Sequence, residues 1–172
     1  KIIPTDEYVE LKIPNIFNPR FSYSLSKIVG EGLVVNSFRN TNTDFLIFRP
    51  HNIIGPEMGF EHVIPNIIQK LSLQKQKNNN LNKFIIEIQG SGNETRSFMY
   101  IDDFVRALSK LSFSKLKNEI VNIGNDKEIK IKELLKIISN TLKINIKFTK
   151  TDPVLGSPKR RSPNVNKLKK IN

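Results

Sequence analysis

Apolar residues return along this chain at two different spacings, and the alternation between them sets out its elements. Leu25, Ile28, Val29, Leu33 and Val34 recur every three to four positions, which gathers them on one face of a helix. The spacing predicts a helix over about residues 21–40, entered from the Asn18-Pro19 turn and capped by Ser22 or Ser24. Residues 1–20, with Pro4, Pro14, Pro19, Asn15 and Asn18, read as an irregular loop. Residues 44–49 form a short, mostly apolar run of the kind found in buried parallel strands, stopped by Pro50 and followed by a Gly55-Pro56 turn. Val63, Ile64, Ile67, Ile68 and Leu71 mark a second helix over 61–77, ended at Asn78-Asn79-Asn80. Strands follow at 84–88 and 95–101, separated by a glycine-containing loop over 89–93. A helix is expected over 102–113, with Asp102-Asp103 capping its start and complementing its dipole. A strand at 119–123, the Gly124-Asn125-Asp126 turn, a helix at 132–142 and a strand at 144–148 complete the regular part. The tail holds Gly156-Ser157-Pro158 and the basic triplet Lys159-Arg160-Arg161.

Short apolar strands alternating with amphipathic helices imply an α/β fold with parallel pairing. The 172 residues suit one domain or two small lobes. The apolar fraction, 38%, supports a core built on Ile and 11 Phe in place of Trp. The chain has no Cys, which excludes disulfides and cysteine-ligated metal and is compatible with a cytoplasmic setting; no metal site is expected. No apolar run reaches the ~18 residues of a membrane span, and no secretory leader pattern is visible. The formal charge is +12, but lysines are scattered without aromatics at stacking intervals. That argues against nucleic acid and membrane partners and is compatible with an anionic small ligand.

The candidate chemistry centres on Tyr23 and Lys27, four apart and therefore on one helix face. A phenol is a poor base near neutrality, since its ordinary pKa is ~10. An ammonium about 4 Å away favours a phenolate by up to roughly 4 kcal/mol at an effective dielectric near 20. That suffices for a phenol to exchange protons at neutral pH. Pro50, His51 and Asn52 follow the end of a predicted parallel strand, where open α/β sheets place ligands. The 89–93 glycines suggest a phosphate cradle only weakly, because no Gly-x-Gly-x-x-Gly follows. Arg161 in the basic triplet can offer phosphate a bidentate fork.

Five blocks carry a family resemblance through their order: Tyr23-x-x-x-Lys27, Arg49-Pro50-His51-Asn52-x-x-Gly55-Pro56, Arg96-Ser97-Phe98-x-Tyr100-Ile101-Asp102-Asp103, Asn122-Ile123-Gly124-Asn125 and Arg161-Ser162-Pro163-Asn164. Together they resemble the C-terminal portion of the extended short-chain dehydrogenase/reductase superfamily, in its NAD-dependent nucleotide-sugar epimerase/dehydratase branch. The resemblance implies the C-terminal part of a Rossmann-like doubly wound parallel sheet plus a small α/β substrate-binding lobe. Residues 1–55 and 94–124 would form the partial NAD-binding domain, and 56–93 and 125–172 the nucleotide-sugar-binding lobe. It implies catalytic roles for Tyr23 and Lys27 and cofactor contacts from Tyr23, Lys27, Pro50 and His51. It assigns substrate contacts to Asn52, His62, Val63, Gln89, Arg96 and Arg161, and homodimer packing to the Tyr23–Lys27 helix. Epimerisation by transient oxidation of a sugar carbon is the first expectation. A 4,6-dehydratase or a sugar-acid decarboxylase is the alternative within the family, and a non-catalytic basic module binding an anionic partner is the alternative outside it. The chain departs from the pattern in four places. Ile54 stands where Tyr is usual, and Asn164 where Asp is usual. The family's glycine-rich NAD turn is not found in these residues, nor is its upstream Ser/Thr partner. Alone, the chain is expected to be inactive.

Overall fold

A computed structural model of the chain describes residues 3–153 and 157–171. Gly156 of the expected Gly156-Ser157-Pro158 turn lies outside the described residues. In chain order, a 3-10 turn at Pro19–Phe21 leads into α1 (Ser22–Phe38), β1 (Leu46–Pro50), β2 (Ile53–Ile54), α2 (Val63–Lys77) and β3 (Lys83–Gln89). Then come β4 (Thr95–Ser97), β5 (Met99–Tyr100), α3 (Ile101–Ser112), β6 (Glu119–Ile123), β7 (Glu128–Lys130), α4 (Ile131–Leu142), β8 (Asn145–Thr151), β9 (Arg160–Arg161) and α5 (Asn166–Lys169).

Three parallel pairs carry the fold: β1 with β6, β2 with β5, and β3 with β8. Pairing of strands far apart in sequence needs crossover connections, and the helices supply them. A fourth sheet is mixed, with β4 at its centre, antiparallel to β7 and parallel to β9.

Two apolar clusters hold these pairs. In the first, Phe84, Ile86 and Ile88 on one face of β3 meet Ile67 and Leu71 of α2 and Leu134, Leu135 and Ile138 of α4. β3 alternates buried and exposed along its length, the period of a strand with one covered face. In the second, Val121 and Ile123 of β6 pack on Leu111 of α3, with Phe48, Met99, Leu168 and Ile171 around them. The tail helix α5 thus folds back onto the β1–β6 pair. By contrast, α1 has no buried residue along its 17 positions.

The sequence pattern placed the long elements well and the short ones poorly. The expected strand over 95–101 is two strands in different sheets, because β4 pairs with β7 and β9 while β5 pairs with β2. Strand β7 falls in the stretch left unassigned between the expected 124–126 turn and the next helix, and β9 in the basic tail; both owe their pairing to β4, over 30 residues away in the sequence. The capping expectations are corrected as well. Phe21, not Ser22 or Ser24, occupies the N-cap of α1, and the Ser22 hydroxyl donates back to Pro19 O at 2.8 Å. Tyr100 occupies the N-cap of α3, so Asp102 and Asp103 lie in its first turn. There they still complement the dipole, and Asp103 also pairs with Arg106.

The outer edge of β3 is closed by a side chain. Gln74 of α2 accepts from Ile85 N at 3.1 Å and donates to Ile85 O at 2.7 Å, mimicking one residue of a neighbouring strand. Lys70 donates to Glu87 O at 3.3 Å, further along the same edge. Unpaired edges invite pairing with other chains, so this blocks an adhesive surface. Gln74→Ala is expected to lower stability by about 1–2 kcal/mol, from two lost hydrogen bonds, and to raise aggregation. Urea unfolding and light scattering on the purified variant check both.

Candidate active site

The site assembles where β1 and β6 end together. Arg49 and Pro50 close β1 opposite Asn122 and Ile123 of β6. The chain then turns at His51, whose backbone N–H donates to Ile123 O at 2.8 Å. Gly124 lets this turn approach, since a Cβ there would stand 2.8 Å from His51 Cβ and 3.1 Å from Pro163 Cγ. Asn52 adopts φ 44, a left-handed conformation that Asn tolerates better than most residues. Its amide donates to Ser97 O at 2.9 Å and its carbonyl accepts from Met99 N, which joins the turn to β4 and β5.

Asn122 is the hub of this end, with only 2% of its surface exposed. Its amide donates to Thr5 O and Asn164 O, both at 3.1 Å, and its oxygen lies 3.2 Å from His51 Nε2. With both donors spent on carbonyls, the oxygen is left to accept, so the His51 ring presents Nε2–H to it. The buried Glu7 carboxylate accepts from Asn122 N at 2.9 Å. The loop around Thr5 bridges to Ser162 and Asn164 through Thr5 N to Ser162 O and Asn164 N to Thr5 O. An open cavity of about 240 Å³ results, lined by Thr5, Pro50, His51, Asn52, Arg161 and Ser162.

Two guanidiniums face each other at its border. Arg96 of β4 is directly opposite Arg161 of β9 in the parallel register. Like charges across strands are destabilising unless something balances them. Arg96 is half-buried, and burial, then the neighbouring Arg161, push its guanidinium down, while Glu94 acts the other way. Its Nη1 donates to Thr95 O at 2.7 Å. Neither arginine pairs with a carboxylate among the described residues. Arg160, next along β9, is instead taken by Glu128 through Nη2 at 2.6 Å and Nε at 2.9 Å. The Arg160 guanidinium holds the Glu128 carboxyl below its usual range. Glu128 thereby fixes the short strand β9 and leaves Arg161 available to a ligand.

Tyr23 and Lys27 lie on the first turns of α1, with Lys27 Nζ 5.1 Å from the Tyr23 ring centroid. Both are exposed, Tyr23 by 70%, and neither lines the cavity. Glu31, one further turn along the same row, has both oxygens held by Arg49, at 2.7 Å from Nε and 2.6 Å from Nη2. Arg49 Nη1 also donates to Glu7 O at 3.0 Å. Both side chains are mostly covered, 17% and 18% exposed, and removing one partner would cost about 2–3 kcal/mol.

The expected substrate residues divide. Asn52 and Arg161 share the cavity, and Arg96 borders it through Arg161. His62 is the exposed N-cap of α2, Val63 its first residue, packed on the first core, and Gln89 the exposed last residue of β3. None of these three lines the cavity. Sequence reasoning quoted Arg49, Asn122 and Ser162 inside its motifs but gave them no task, and gave none to Thr5, Glu7, Glu31 and Glu128 either. Their partners lie up to 117 positions away, beyond any local pattern. Among the described residues, no group of three His, Asp or Glu is placed to hold a metal ion, and no helix is long and apolar enough to cross a membrane.

The glycine loop proves to be occupied by its own chain. Gly90 and Gly92 adopt φ 85 and φ 82, and the Glu94 carboxylate accepts from Ser91 N at 3.0 Å and Gly92 N at 2.8 Å. A built-in anion therefore fills the cradle. The Ser91 backbone N–H, against the effect of burial, holds the Glu94 carboxyl below its usual range. A lowered carboxylate contributes stability that is present above its unfolded pKa of ~4.3 and is lost as pH falls through the folded value. Glu94→Gln is therefore expected to cost stability at pH 7 and to narrow the gap to the parent protein below about pH 4. Denaturant titrations across pH 2–7 check the convergence.

The family described as "NAD dependent epimerase/dehydratase family" matches residues 1–124. A dTDP-D-glucose 4,6-dehydratase of Dictyostelium discoideum is 34% identical over 126 residues, 73% of this chain and 27% of that protein. UDP-glucuronic acid decarboxylase 4 of Arabidopsis thaliana is 28% identical over 162 residues, 91% of this chain and 34% of that protein. The UDP-glucose 4-epimerase of Thermotoga maritima, solved with UDP-glucose, superposes with a TM-score of 0.77 at 23% identity, over 99% of this chain and 51% of that one. The chain thus spans between about a quarter and a half of the length of these relatives.

Proposed function

The chain belongs to the NAD-dependent epimerase/dehydratase family, and from that premise we propose that it supplies the proton-transfer and sugar-nucleotide side of a nucleotide-sugar 4-epimerase or close sibling. The observation that carries this is the unbalanced pair Arg96 and Arg161, facing across β4 and β9 beside the Pro50-His51-Asn52 cavity. A diphosphate placed between two guanidiniums removes their repulsion and gains charge-assisted hydrogen bonds. Residues 56–93 and 125–172 act as the sugar-nucleotide lobe, with Asn52 contributing from the β1 side. His62 and Val63 offer the dipole end of α2 to phosphate, and Gln89 meets the base.

NAD fits the residues present on one side. Tyr23 and Lys27 stand on one exposed row, as a ribose and a reacting hydroxyl require, and Pro50 and His51 wall the strand-end cavity. Residues 1–55 and 94–124 form this side of the dinucleotide site. The glycine-rich turn that cradles a pyrophosphate is not among the 172 residues, so activity depends on sequence beyond them. NAD held by Tyr23, Lys27, Pro50 and His51 would supply a reversible hydride acceptor for the sugar carbon. Tyr23 as phenolate takes the proton of the sugar hydroxyl and gives it back when the carbonyl is reduced. Lys27 holds the ribose hydroxyls and stabilises the phenolate.

The same devices serve a 4,6-dehydratase or a sugar-acid decarboxylase, since both also begin by oxidising a sugar carbon. The relatives bearing those names favour them as the second reading. This reading places the protein in the cytoplasm, which its lack of Cys allows. A second copy covers the far side of α1, where Leu25, Val29 and Leu33 recur every fourth position and are exposed.

Two measurements on the full-length protein test this. Tyr23→Phe should lower nucleotide-sugar turnover by ~10²–10⁴-fold, while Arg161→Ala should weaken UDP binding by about 1.5–3 kcal/mol. Turnover within about threefold of the parent in Tyr23→Phe removes the phenol as acid/base. For the second copy, Val29→Asp should shift the sedimentation coefficient from dimer to monomer; an unchanged dimer moves the interface elsewhere.

A further inference from the structure

Tyr23, Lys27 and Glu31 occupy positions i, i+4 and i+8 of α1 and so form one row along it. Lys27 has two opposite neighbours in that row. Behind it is the phenol, whose ring its ammonium overlies at 5.1 Å. Ahead of it is the Glu31 carboxylate, one turn along, at the spacing where Lys and Glu form helix ion pairs. Without a competitor, Glu31 would draw Lys27 forward, away from Tyr23. The competitor is Arg49, which is fixed at the end of β1 and fills both Glu31 oxygens with its fork.

We infer that Arg49 is a positioning residue for the proton transfer assigned to Tyr23: by sequestering Glu31 it keeps the Lys27 ammonium on the phenol. The inference rests on the Tyr23–Lys27 acid/base reading above and adds to it a residue that touches neither substrate nor cofactor. Three observations converge on it. Arg49 uses its third nitrogen, Nη1, on Glu7 O, so its own position is set from the loop side as well. The pair is mostly covered, so the contact resists salt better than a surface pair would. No residue of α1 is buried, so the pair is the chief polar anchor setting how its row is turned toward the strand ends.

An ordinary structural salt bridge and a sequestering one predict different double mutants. In the full-length enzyme, Arg49→Gln is expected to lower kcat at least 30-fold with KM for the nucleotide sugar within threefold, because the released Glu31 captures Lys27. Adding Glu31→Gln to Arg49→Gln removes the captor and is expected to recover at least tenfold in kcat. A crystal structure of Arg49→Gln should show Lys27 Nζ within ion-pair distance of the Glu31 carboxylate, a readout independent of turnover. If Arg49→Gln does not fold, Arg49→Lys takes its place. A single ammonium leaves one Glu31 oxygen open, so kcat should again fall and again recover with Glu31→Gln. A double variant no faster than Arg49→Gln, or Lys27 still beside Tyr23 in the single variant, overturns the inference. Loss of the underlying acid/base reading would show separately, as an active Tyr23→Phe enzyme.

Discussion

The buried amide of Asn122 is the contact on which the rest of this end of the molecule depends. Parallel strands finish with unpaired carbonyls and N–H groups, and each one hidden from water must find a partner. Asn122 partners the loop at Thr5, the tail at Asn164 and the ring of His51, while its own N–H goes to Glu7. Three segments distant in sequence are thus closed over one side chain. Replacement by Leu would keep the volume but take the amide partner from Asn164 O, at about 1–3 kcal/mol, while Thr5 O keeps the Asn164 N–H. An apolar residue could fill this space, but it could not fix which loop meets which tail. Polar pairing specifies the arrangement, and the apolar cores on either side supply the drive.

Electrostatics divide the arginines into fixed and available ones. Arg49 and Arg160 are each bidentate on a carboxylate, Glu31 and Glu128. Arg96 and Arg161 have no carboxylate among the described residues and face one another. The fixed pair of Arg160 with Glu128 anchors a strand only two residues long, which would otherwise fray, and so places Arg161. The available pair carry a mutual repulsion, which Glu94 offsets in part. Glu94 shows the opposite economy: its carboxylate already occupies the glycine loop, so that loop offers no empty cradle.

The long elements were legible because their signal is local. The apolar period placed α1, α2 and α4, the acidic pair Asp102-Asp103 marked the start of α3, and short apolar runs placed β1, β3, β6 and β8. The α/β class followed from the alternation of strands and helices, and the family from motif order. What escaped was long-range. β9 exists because β4 lies beside it, and nothing in Arg160-Arg161 itself prefers a strand. The caps failed because Ser22 and Asp102 fall one or two positions inside their helices, a shift smaller than periodicity resolves. Tyr23, Lys27, Asn52 and Arg161 were visible as motif members, whereas the residues that hold them, Glu7, Asn122 and Glu128, act through partners that only folding brings near.

Helix α1 joins these points. Isolated helices of its length are marginal in water, and Gly30 and Gly32 each weaken it by about 1 kcal/mol relative to Ala. It buries no side chain, so its own sequence and its contacts within these residues hold it only loosely. Half-covered Ile28, Val34 and Val35 share the helix face of Glu31, which Arg49 of β1 holds, while exposed Leu25, Val29 and Leu33 lie on the opposite face. A helix apolar on two sides is built to lie between two bodies. Its glycines fit that position: a Cβ at either would meet nothing within 4 Å here, leaving open backbone that another surface can approach closely. Such a helix takes its rigidity from what packs against it. The row bearing Tyr23 and Lys27 is therefore aimed from outside the helix, by the Arg49 fork on one side and by whatever covers Val29 on the other.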